Sequence, residues 1–376
     1  MADERWILDA DGHVVEPPDM WEKYLEAKYK SRAPRMIRDT DGEYRLLLEG
    51  ELQPKPRGRS IGFNWRGLSP DWPMSPEQLQ RGQDPQQRLA DMDLEGIDVS
   101  VGFPTFGLAL GSIEDVDFAR ACHEAYNNWL SDYCSVRPDR LKGAAAIPLQ
   151  DVNLAIDELN RAVTELKMVA AFIRPNPYKG RNLDDPYYDP FYAEAQRLDV
   201  PIMTHEGTGN FMPTAGLDRF DNFAYTHTIS HPFEQMLACM CLIYGGVCEK
   251  FPELQFVFLE SGCSWLPYWL WRMDEHFEKR RGDLPLMSRK ATDYFKRQCY
   301  ISVDPDEKTM KYCIDYIGDD RVLFASDYPH WDAVFPGVIA EFERQAAGLS
   351  EESRRKILWD NAAQLYKIKA PTPTAL

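Results

Sequence analysis

Carboxylate and imidazole side chains occur directly after several short apolar runs of the sequence. They are Asp11 and His13 in Asp9-Ala10-Asp11-Gly12-His13, His205 after residues 201–204, Glu260 after residues 256–259, and Asp327 after residues 322–326. In an extended chain Asp11 and His13 point to the same side, so both could bind one ion. Burying such groups at apolar strand ends without a cation would be costly, and both group types bind divalent metals. The sequence therefore predicts a metal site.

Three further polar residues could take part in a reaction at this site. His231, in Ile229-Ser230-His231-Pro232, could be a metal ligand, a general acid or base, or only a residue at a helix start. His330 lies in the loop after Asp327 and could contact a substrate or orient ligands. Arg174 ends an apolar run and could bind a substrate carboxylate or form an internal ion pair. We therefore expect acid–base and substrate-binding groups beside the metal.

Eight short apolar runs recur along the chain, and most of them precede an amphipathic stretch. They lie at residues 6–11, 97–103, 143–148, 169–174, 201–205, 256–260, 300–304 and 322–327. Most are continuous rather than alternating, as expected of strands buried on both faces. Alternating strands and helices predict a closed (β/α)8 barrel, and the lack of a GxGxxG turn disfavours an open, doubly wound sheet. A barrel collects the carboxyl ends of its strands around one axis, so the strand-end residues would converge.

Segments outside this alternation predict covering structure around a single barrel domain of residues 1–376. Residues 22–85 contain many Pro, Arg, Gly and Trp residues and are expected to be an irregular insertion after the first strand. Residues 206–232 contain glycines, prolines and several aromatic residues, which favours an active-site loop or lid. Residues from about 365 to 376 are expected to form an extended C-terminal arm.

The composition restricts the partners and the compartment. With 43 Lys and Arg against 60 Asp and Glu, the formal net charge is −17, which argues against nucleic acid and anionic membranes as partners. No apolar run approaches the ~20 residues of a membrane helix, and the polar N-terminus does not look like a signal peptide. The eight cysteines are too few for a disulfide scaffold, so we expect free thiols in a cytoplasmic protein.

Three segments together resemble the amidohydrolase superfamily, in the branch that contains aminocarboxymuconate semialdehyde decarboxylase and related aromatic-acid decarboxylases. They are Asp9-Ala10-Asp11-Gly12-His13, the stretch FPELQFVFLESG at residues 251–262, and the stretch LFASDYP at residues 323–329. The resemblance covers nearly the whole chain and implies a (β/α)8 barrel with a divalent metal at the strand ends. It places Asp11 and His13 at the His-x-His ligands of strand 1. His205 matches the strand 5 ligand and Asp327 the strand 8 ligand.

Two positions depart from the pattern of that branch. Asp11 stands where the first His of His-x-His is expected, and Glu260 stands where many of these decarboxylases carry a catalytic strand 6 His. Both replacements exchange a neutral imidazole for an anion, which makes the site richer in hard oxygen ligands and removes a catalytic imidazole. Such a site favours manganese, iron or a second metal over a single zinc ion.

The main hypothesis is a metal-dependent enzyme that hydrolyses or decarboxylates a small carboxylate substrate. Its cofactor would be zinc, manganese or iron, as one or two ions, which would activate water or polarise a substrate oxygen. Asp327 would bind metal and accept a proton, and Glu260 or His231 would bind metal or act as acid or base. Arg174 would bind the substrate carboxylate, with His330 as a further contact.

Two alternatives keep the barrel but change its role. The chain is also similar to the 2-aminoisobutyric acid hydroxylase group, in which a dinuclear metal site activates dioxygen and two related chains can pair. In the other alternative, the barrel has lost catalysis and serves as a structural partner subunit. We expect a homo-oligomer or a hetero-oligomer with a related chain, because the aromatic residues of 265–271 could cover an interface; ordinary packing is the other explanation.

Overall fold

Parallel strands form a barrel at the centre of the computed structural model, which describes residues 5–38, 40, 44–53, 81–208, 211–330 and 332–371. In chain order the strands are β1 (Leu8–His13), β2 (Arg35–Arg38), β3 (Tyr44–Leu48), β4 (Glu51–Leu52), β5 (Val99–Phe103), β6 (Leu141–Ala146), β7 (Ala170–Ile173), β8 (Ile202–Thr204), β9 (Phe256–Phe258), β10 (Cys299–Val303) and β11 (Val322–Phe324). The barrel consists of β1 and β5 to β11, in that order. Helices connect successive barrel strands, which confirms the predicted (β/α)8 fold.

The barrel strands are buried on both faces, and this explains their continuous apolar sequences. Every residue of β5, β7 and β10 is buried, whether it points to the barrel axis or to the helices. The last three residues of β6, Ala144–Ala146, are small and are likewise fully buried. Apolar burial therefore holds the strands in place and brings their polar ends to one face of the barrel.

Helices surround the barrel. They are α1 (Met20–Tyr24), α2 (Pro85–Glu95), α3 (Val116–Ser135), α4 (Val152–Thr164), α5 (Asp189–Leu198), α6 (Phe223–Tyr244), α7 (Val247–Lys250), α8 (Leu266–Lys279), α9 (Ala291–Gln298), α10 (Met310–Ile317), α11 (Val338–Gln345), α12 (Glu351–Arg355) and α13 (Asn361–Tyr366). The carboxylates of Asp84, Asp115 and Asp151 accept backbone N–H groups at the starts of α2, α3 and α4. None of the helices in these ranges is long and apolar enough to span a membrane.

The first and last barrel strands meet at a seam. The backbone N–H of His13 donates to the carbonyl of Tyr328 at 2.7 Å, and the N–H of Asp327 donates to the carbonyl of Asp11 at 3.0 Å. Both hydrogen bonds join the carboxyl end of β1 to the residues that directly follow β11. The seam is therefore formed by the residues that the sequence singles out as metal ligands.

The loop after β8 is shorter than its sequence predicts, because α6 begins at Phe223 rather than beside Pro232. The side chain of Asn222 caps the helix by accepting the N–H of Ala224 at 3.0 Å. Pro232 lies inside α6, where buried residues on either side of it hold the helix together. The interpretation of His231 as a helix-start residue is therefore wrong, and the loop ends at Asn222 instead of residue 232.

The insertion after β1 and the C-terminal arm also differ from expectation. The insertion after β1 contains α1, a 3₁₀ helix at Ala27–Arg32 and the antiparallel sheet β2–β3–β4, so its described part is regular rather than irregular. Its residues 54–80 lie outside the described part of the chain. Residues 365 and 366 belong to α13, where Tyr366 is buried and donates its hydroxyl to the carbonyl of Ala10 at 3.0 Å. Residues 367–371 of the predicted arm follow α13, and residues 372–376 lie outside the described residues.

Candidate metal centre and active site

The structure brings the strand-end residues together at one end of the barrel. The Nε2 atoms of His13 and His205 are 2.9 Å apart, although His13 ends β1 and His205 directly follows β8. The His205 Nε2 lies 3.5 Å from Asp11 Oδ1 and 2.6 Å from Glu260 Oε2. The His13 Nε2 lies 3.4 Å from Asp327 Oδ1. All five residues thus share one cluster, although their roles remain predictions.

Backbone carbonyls set the tautomers of the two imidazoles. The Nδ1 of His13 lies 2.9 Å from the carbonyl of Pro104, and the Nδ1 of His205 lies 2.7 Å from the carbonyl of Glu206. A carbonyl can only accept, so both Nδ1 atoms carry hydrogen. Burial lowers the pKa of His205 to about 3 and the pKa of His13 well below its usual value, so both rings are neutral at pH 7. Two Nε2 lone pairs therefore face each other, as metal ligands do.

The carboxylates of the cluster lack the partners that buried anions need. Asp11 Oδ1 and Glu260 Oε2 are buried and have no hydrogen-bond donor among the described residues. Burial, followed by the charge of Asp327, raises the pKa of both Asp11 and Glu260 well above the usual range. A divalent cation would compensate these anions and accept the imidazole lone pairs. The donor set therefore fits a divalent metal.

The backbone at two of the carboxylates is strained. Glu260 has a φ angle of 50° and Asp327 has a φ angle of 53°, so both lie in the left-handed region that side chains other than glycine rarely occupy. Glu260 lies two residues after the end of β9, and Asp327 lies three residues after the end of β11. Such strain is typical of functional sites, where the surrounding structure maintains an unfavourable conformation.

His231 reaches the cluster from α6 rather than from a loop. Its Nε2 lies 3.3 Å from Glu260 Oε1, so the Glu260 carboxylate stands between His205 and His231. The helix also places His227 on the same face, with the two imidazole centroids 4.3 Å apart. The four-residue spacing of His227 and His231 is therefore meaningful, although sequence reasoning treated it as part of a loop. The His227 Nε2 lies 3.7 Å from Asp332 Oδ2.

His330 directly contacts Asp327, one of the carboxylates of the cluster. Its Nδ1 is 2.6 Å from Asp327 Oδ1, its ring centroid is 3.9 Å from that of His13, and its Nε2 is 3.2 Å from Thr105 Oγ1. The Thr105 hydroxyl donates to the carbonyl of Val14, so its oxygen accepts from His330 Nε2. Burial lowers the pKa of His330, but the charge and hydrogen bond of Asp327, together with the charges of Asp332 and Asp11, raise the pKa above its usual value. One proton is therefore held between His330 and Asp327.

Arg174 forms a buried ion pair. Its side chain is 1% exposed, and its Nη2 lies 3.0 Å from Oε1 of Glu206, which is also buried. Its Nη1 donates to the carbonyl of Leu108 at 2.6 Å, in the 3₁₀ helix Phe106–Ser112 that follows β5. Arg174 therefore links the ends of β7 and β8 to the wall of the site, which is the internal pairing that the sequence left open beside substrate binding.

Sequence reasoning assigned no role to Asp304, an acidic residue of this face. Asp304 directly follows β10, and burial together with Glu307 and Asp327 raises its pKa well above the usual range. Burial and the charge of Asp327 raise the pKa of Asp332 to about 7. Asp304 carries the same signal as Glu260 and Asp327, because it is a carboxylate at the end of an apolar run.

A model of the amidohydrolase family matches residues 9–368, so the chain belongs to that family. It is 32% identical over 312 residues to gamma-resorcylate decarboxylase from Polaromonas sp. (strain JS666), an alignment that covers 79% of this chain and 91% of the relative. It is 26% identical over 283 residues to 2-amino-3-carboxymuconate-6-semialdehyde decarboxylase from Dictyostelium discoideum, covering 75% of this chain and 76% of the relative. The predicted family is therefore confirmed.

Solved structures share the fold. An amidohydrolase from Mycobacterium avium subsp. paratuberculosis K-10 aligns with a TM-score of 0.77 at 23% identity, covering 97% of this chain and all of that chain. A dihydroxybenzoic acid decarboxylase from Polaromonas sp. JS666, solved with bound manganese and 2-nitroresorcinol, aligns with a TM-score of 0.70 at 24% identity, covering 96% and 97%. The two decarboxylases that are related in sequence favour an enzyme of the decarboxylase kind over the dioxygen-dependent hydroxylase and the non-catalytic subunit.

Proposed function

We propose that this protein is a metal-dependent decarboxylase of a small carboxylic acid, with hydroxybenzoates as the first compounds to assay. The observation that carries the proposal is the pair of facing Nε2 lone pairs on His13 and His205 beside the unpartnered Asp11 Oδ1. The relationship to gamma-resorcylate decarboxylase supports the reaction type. Asp11, His13, His205 and Asp327 would hold the metal, with Glu260 and His231 as further ligands or acid–base groups.

The chain's own residues would provide the proton that replaces carbon dioxide. A bound divalent metal would polarise the substrate oxygens and stabilise negative charge. Asp327 Oδ1 would deliver its proton to the carbon that bears the carboxylate, the carbon–carbon bond would break, and its electron pair would stay on that carbon. That proton would come from His330 Nδ1, 2.6 Å from Asp327 Oδ1, and solvent would reprotonate the imidazole afterwards. His330 would thereby provide the imidazole that is missing at the position of Glu260.

Arg174 would bind the carboxylate group of the substrate while Glu206 keeps its guanidinium in place. Its Nε has no hydrogen-bond partner in the described part of the chain and remains able to donate. The hydrogen bond from Nη1 to the Leu108 carbonyl orients the guanidinium plane. A pre-oriented guanidinium binds a carboxylate with less loss of side-chain entropy than a mobile one.

The metal would be manganese or iron rather than a single zinc ion, because Asp11, Glu260 and Asp327 offer hard carboxylate oxygens beside the imidazoles. The manganese in the similar dihydroxybenzoic acid decarboxylase supports this preference. Elemental analysis of protein purified without added metal would determine both the identity and the number of ions. A preparation that contains no metal and binds none on titration would contradict the proposal.

Decarboxylation in heavy water tests the reaction itself. The metal-loaded enzyme is incubated with 2,6-dihydroxybenzoate and related hydroxybenzoates, and the product is analysed by mass spectrometry and NMR. We expect one deuterium at the carbon that lost carbon dioxide, and no turnover by the chelated enzyme. Hydrolysis products, or no product from any member of the panel with fully loaded enzyme, would contradict a decarboxylase of this class.

We further propose that the protein is a cytoplasmic oligomer, formed with itself or with a related chain. All eight cysteines are free thiols, which supports a reducing compartment. On α8, Tyr268 and Trp271 are exposed, whereas Trp265 and Trp269 pack against the core. Light scattering after gel filtration should show an oligomer that Trp271→Arg weakens. A monomeric wild type that no related chain binds would contradict this proposal.

A further inference from the structure

The seam between β1 and the end of β11 is crossed by a buried arginine from outside the strands. Arg88 lies on α2, and its side chain is 4% exposed. Its Nη1 donates to the carbonyl of Tyr328 at 2.9 Å and to the carbonyl of His13 at 3.2 Å. One guanidinium nitrogen therefore binds both sides of the seam, at His13 itself and at the residue that follows Asp327.

The other terminal nitrogen of Arg88, Nη2, contacts Ser100 and the buried carboxylate of Asp9. Asp9 lies on β1 and also bonds to Ser326, which follows β11. Arg88 Nη2 donates to Ser100 Oγ at 2.7 Å and lies 3.5 Å from Asp9 Oδ2. The Asp9 carboxylate accepts the backbone N–H of Ser326 at 2.9 Å and its hydroxyl at 2.7 Å. Asp9 on β1 thus binds the residue that precedes Asp327, while Arg88 binds the residue that follows it.

Gly12 leaves the space that the guanidinium occupies. A Cβ atom at Gly12 would lie 2.1 Å from Arg88 Nη2, 2.5 Å from Asp9 Oδ2 and 2.8 Å from Ser100 Oγ. Gly12 stands between Asp11 and His13, so the absence of a side chain there lets the guanidinium pass directly behind both ligand candidates. The glycine and the arginine therefore form one arrangement, which no spacing in the sequence indicates.

We propose that Arg88 is a positioning residue that sets the separation of His13 and Asp327 across the seam, and thereby the affinity of the site for its metal. The inference rests on the proposed function in one respect, namely that these residues bind a divalent metal. Arg88 acts through main-chain carbonyls and Asp9 and has no part in the chemistry. A planar fork with fixed donors can hold two carbonyls and a carboxylate at once, whereas the ammonium of a lysine cannot reproduce that geometry.

The test compares Arg88→Lys with a matched arginine at the opposite end of the barrel. Arg140 donates from Nε to the carbonyl of Asp98 at 2.9 Å and from Nη2 to the carbonyl of Ile97 at 2.8 Å, and its Nη1 pairs with Asp93. It therefore also holds main-chain carbonyls, but at the amino ends of the strands. Arg140→Lys controls for the loss of such a clamp without any effect on the site.

The dissociation constant for Mn²⁺ is measured on metal-free protein by calorimetry, at a temperature where circular dichroism shows each variant to be folded. We expect Arg88→Lys to weaken Mn²⁺ binding by about 10-fold or more, as the loss of groups that orient metal ligands does, and Arg140→Lys to change it by less than about 3-fold. Equal affinities of wild type and Arg88→Lys would overturn the inference while leaving the proposed function intact.

An Arg88→Lys variant that does not fold and a wild type that binds no metal have different consequences. If Arg88→Lys does not fold, Ser100→Ala carries the test, because it removes the hydroxyl that bonds both Arg88 and Asp9 but retains the charges. Its Mn²⁺ affinity should fall by roughly 3-fold or more, and an unchanged affinity would overturn the inference. A folded wild type that binds no Mn²⁺, iron or zinc would overturn the proposed function, and the inference with it.

Discussion

Individual hydrogen bonds determine what the cluster can bind. The carbonyls of Pro104 and Glu206 fix the hydrogens of His13 and His205 on Nδ1, so both Nε2 atoms are left as electron-pair donors. Neither carbonyl is recognisable in the sequence as part of the site. The residue types alone therefore indicate a metal, but the tautomers that make the imidazoles competent ligands come from backbone groups on neighbouring loops.

Asp327→Asn tests the proton donor. The amide preserves the size of the side chain but cannot deliver a proton, so we expect kcat to fall by about 100-fold or more while the fold is retained. Asp320→Asn is the control, because its side chain is 73% exposed and precedes β11 at the opposite end of the strand. Decarboxylation at the wild-type rate by Asp327→Asn would exclude the proposed mechanism.

Gly12→Ala tests the space behind the ligands. The new methyl group would overlap with Arg88 Nη2, so we expect a loss of roughly 1–3 kcal/mol in the free energy of unfolding and weaker Mn²⁺ binding. Gly282→Ala is the control, since a Cβ there meets no atom within 4 Å. Urea denaturation measures the stability. The prediction fails if both alanine variants are as stable as the wild type and bind Mn²⁺ equally well.

At the level of secondary structure, α6 has a larger role than its sequence predicts. Because the helix begins at Phe223, it presents His227, His231 and Glu234 from one rigid element. Glu234 is buried and accepts the backbone N–H of Ala215, so it ties the loop after β8 to the helix. Asn176, after β7, donates to Pro213 O at 3.2 Å in the same loop. The expected lid is thus attached to two neighbouring elements.

The pH dependence of stability should reveal Glu234. Burial raises its pKa to about 7 in the folded protein, compared with about 4.3 in an unfolded chain. The folded state therefore binds more protons between these values, and the stability contributed by this group decreases as the pH rises from about 4 to 7. Glu234→Gln removes this decrease, so relative to wild type the variant should gain roughly 1–3 kcal/mol between pH 5 and pH 8.

The measurement is urea denaturation of both proteins at the two pH values. Glu114→Gln is the control, because the Glu114 side chain is 75% exposed. If the difference in unfolding free energy between Glu234→Gln and wild type is the same at pH 5 and pH 8, the raised pKa is refuted.

At the scale of the whole molecule, the clustering of carboxylates at the barrel end affects metal binding more than the formal net charge of −17 does. Asp11, Glu260 and Asp327 lie within one cluster at the barrel end, and the burial of Asp11 and partial burial of the other two limit the screening of their repulsion by water. Arg174 is paired with Glu206, so it does not neutralise them. A divalent metal would therefore link the ends of strands that are distant in the chain.

Metal removal should consequently destabilise the whole barrel. A ligand that binds only the folded state at 100 times its dissociation constant adds about 2.7 kcal/mol, so chelation should lower the melting temperature by several degrees and Mn²⁺ should restore it. Differential scanning calorimetry measures the change, with Mg²⁺ addition as the control for ionic strength. A melting temperature that is the same with and without bound metal would contradict a metal that joins the strand ends.

The sequence by itself determined the barrel, because continuous apolar runs report burial on both faces without reference to partners. It also indicated that Asp11, His13, His205, Glu260 and Asp327 would converge, since the barrel brings strand ends to one face. The start of α6 and the sheet β2–β3–β4 could not be predicted, because tertiary packing overrode the local signals at Pro232 and in the insertion.

Only the tertiary structure decided the pairings. Whether Arg174 contacts Glu206, His330 contacts Asp327, or Arg88 spans the seam depends on distances between residues far apart in the chain or on loops. Local sequence records the type of each side chain but not its neighbours. A buried charge is stabilised by whichever group the fold places within about 4 Å, and that placement is a property of the packed barrel.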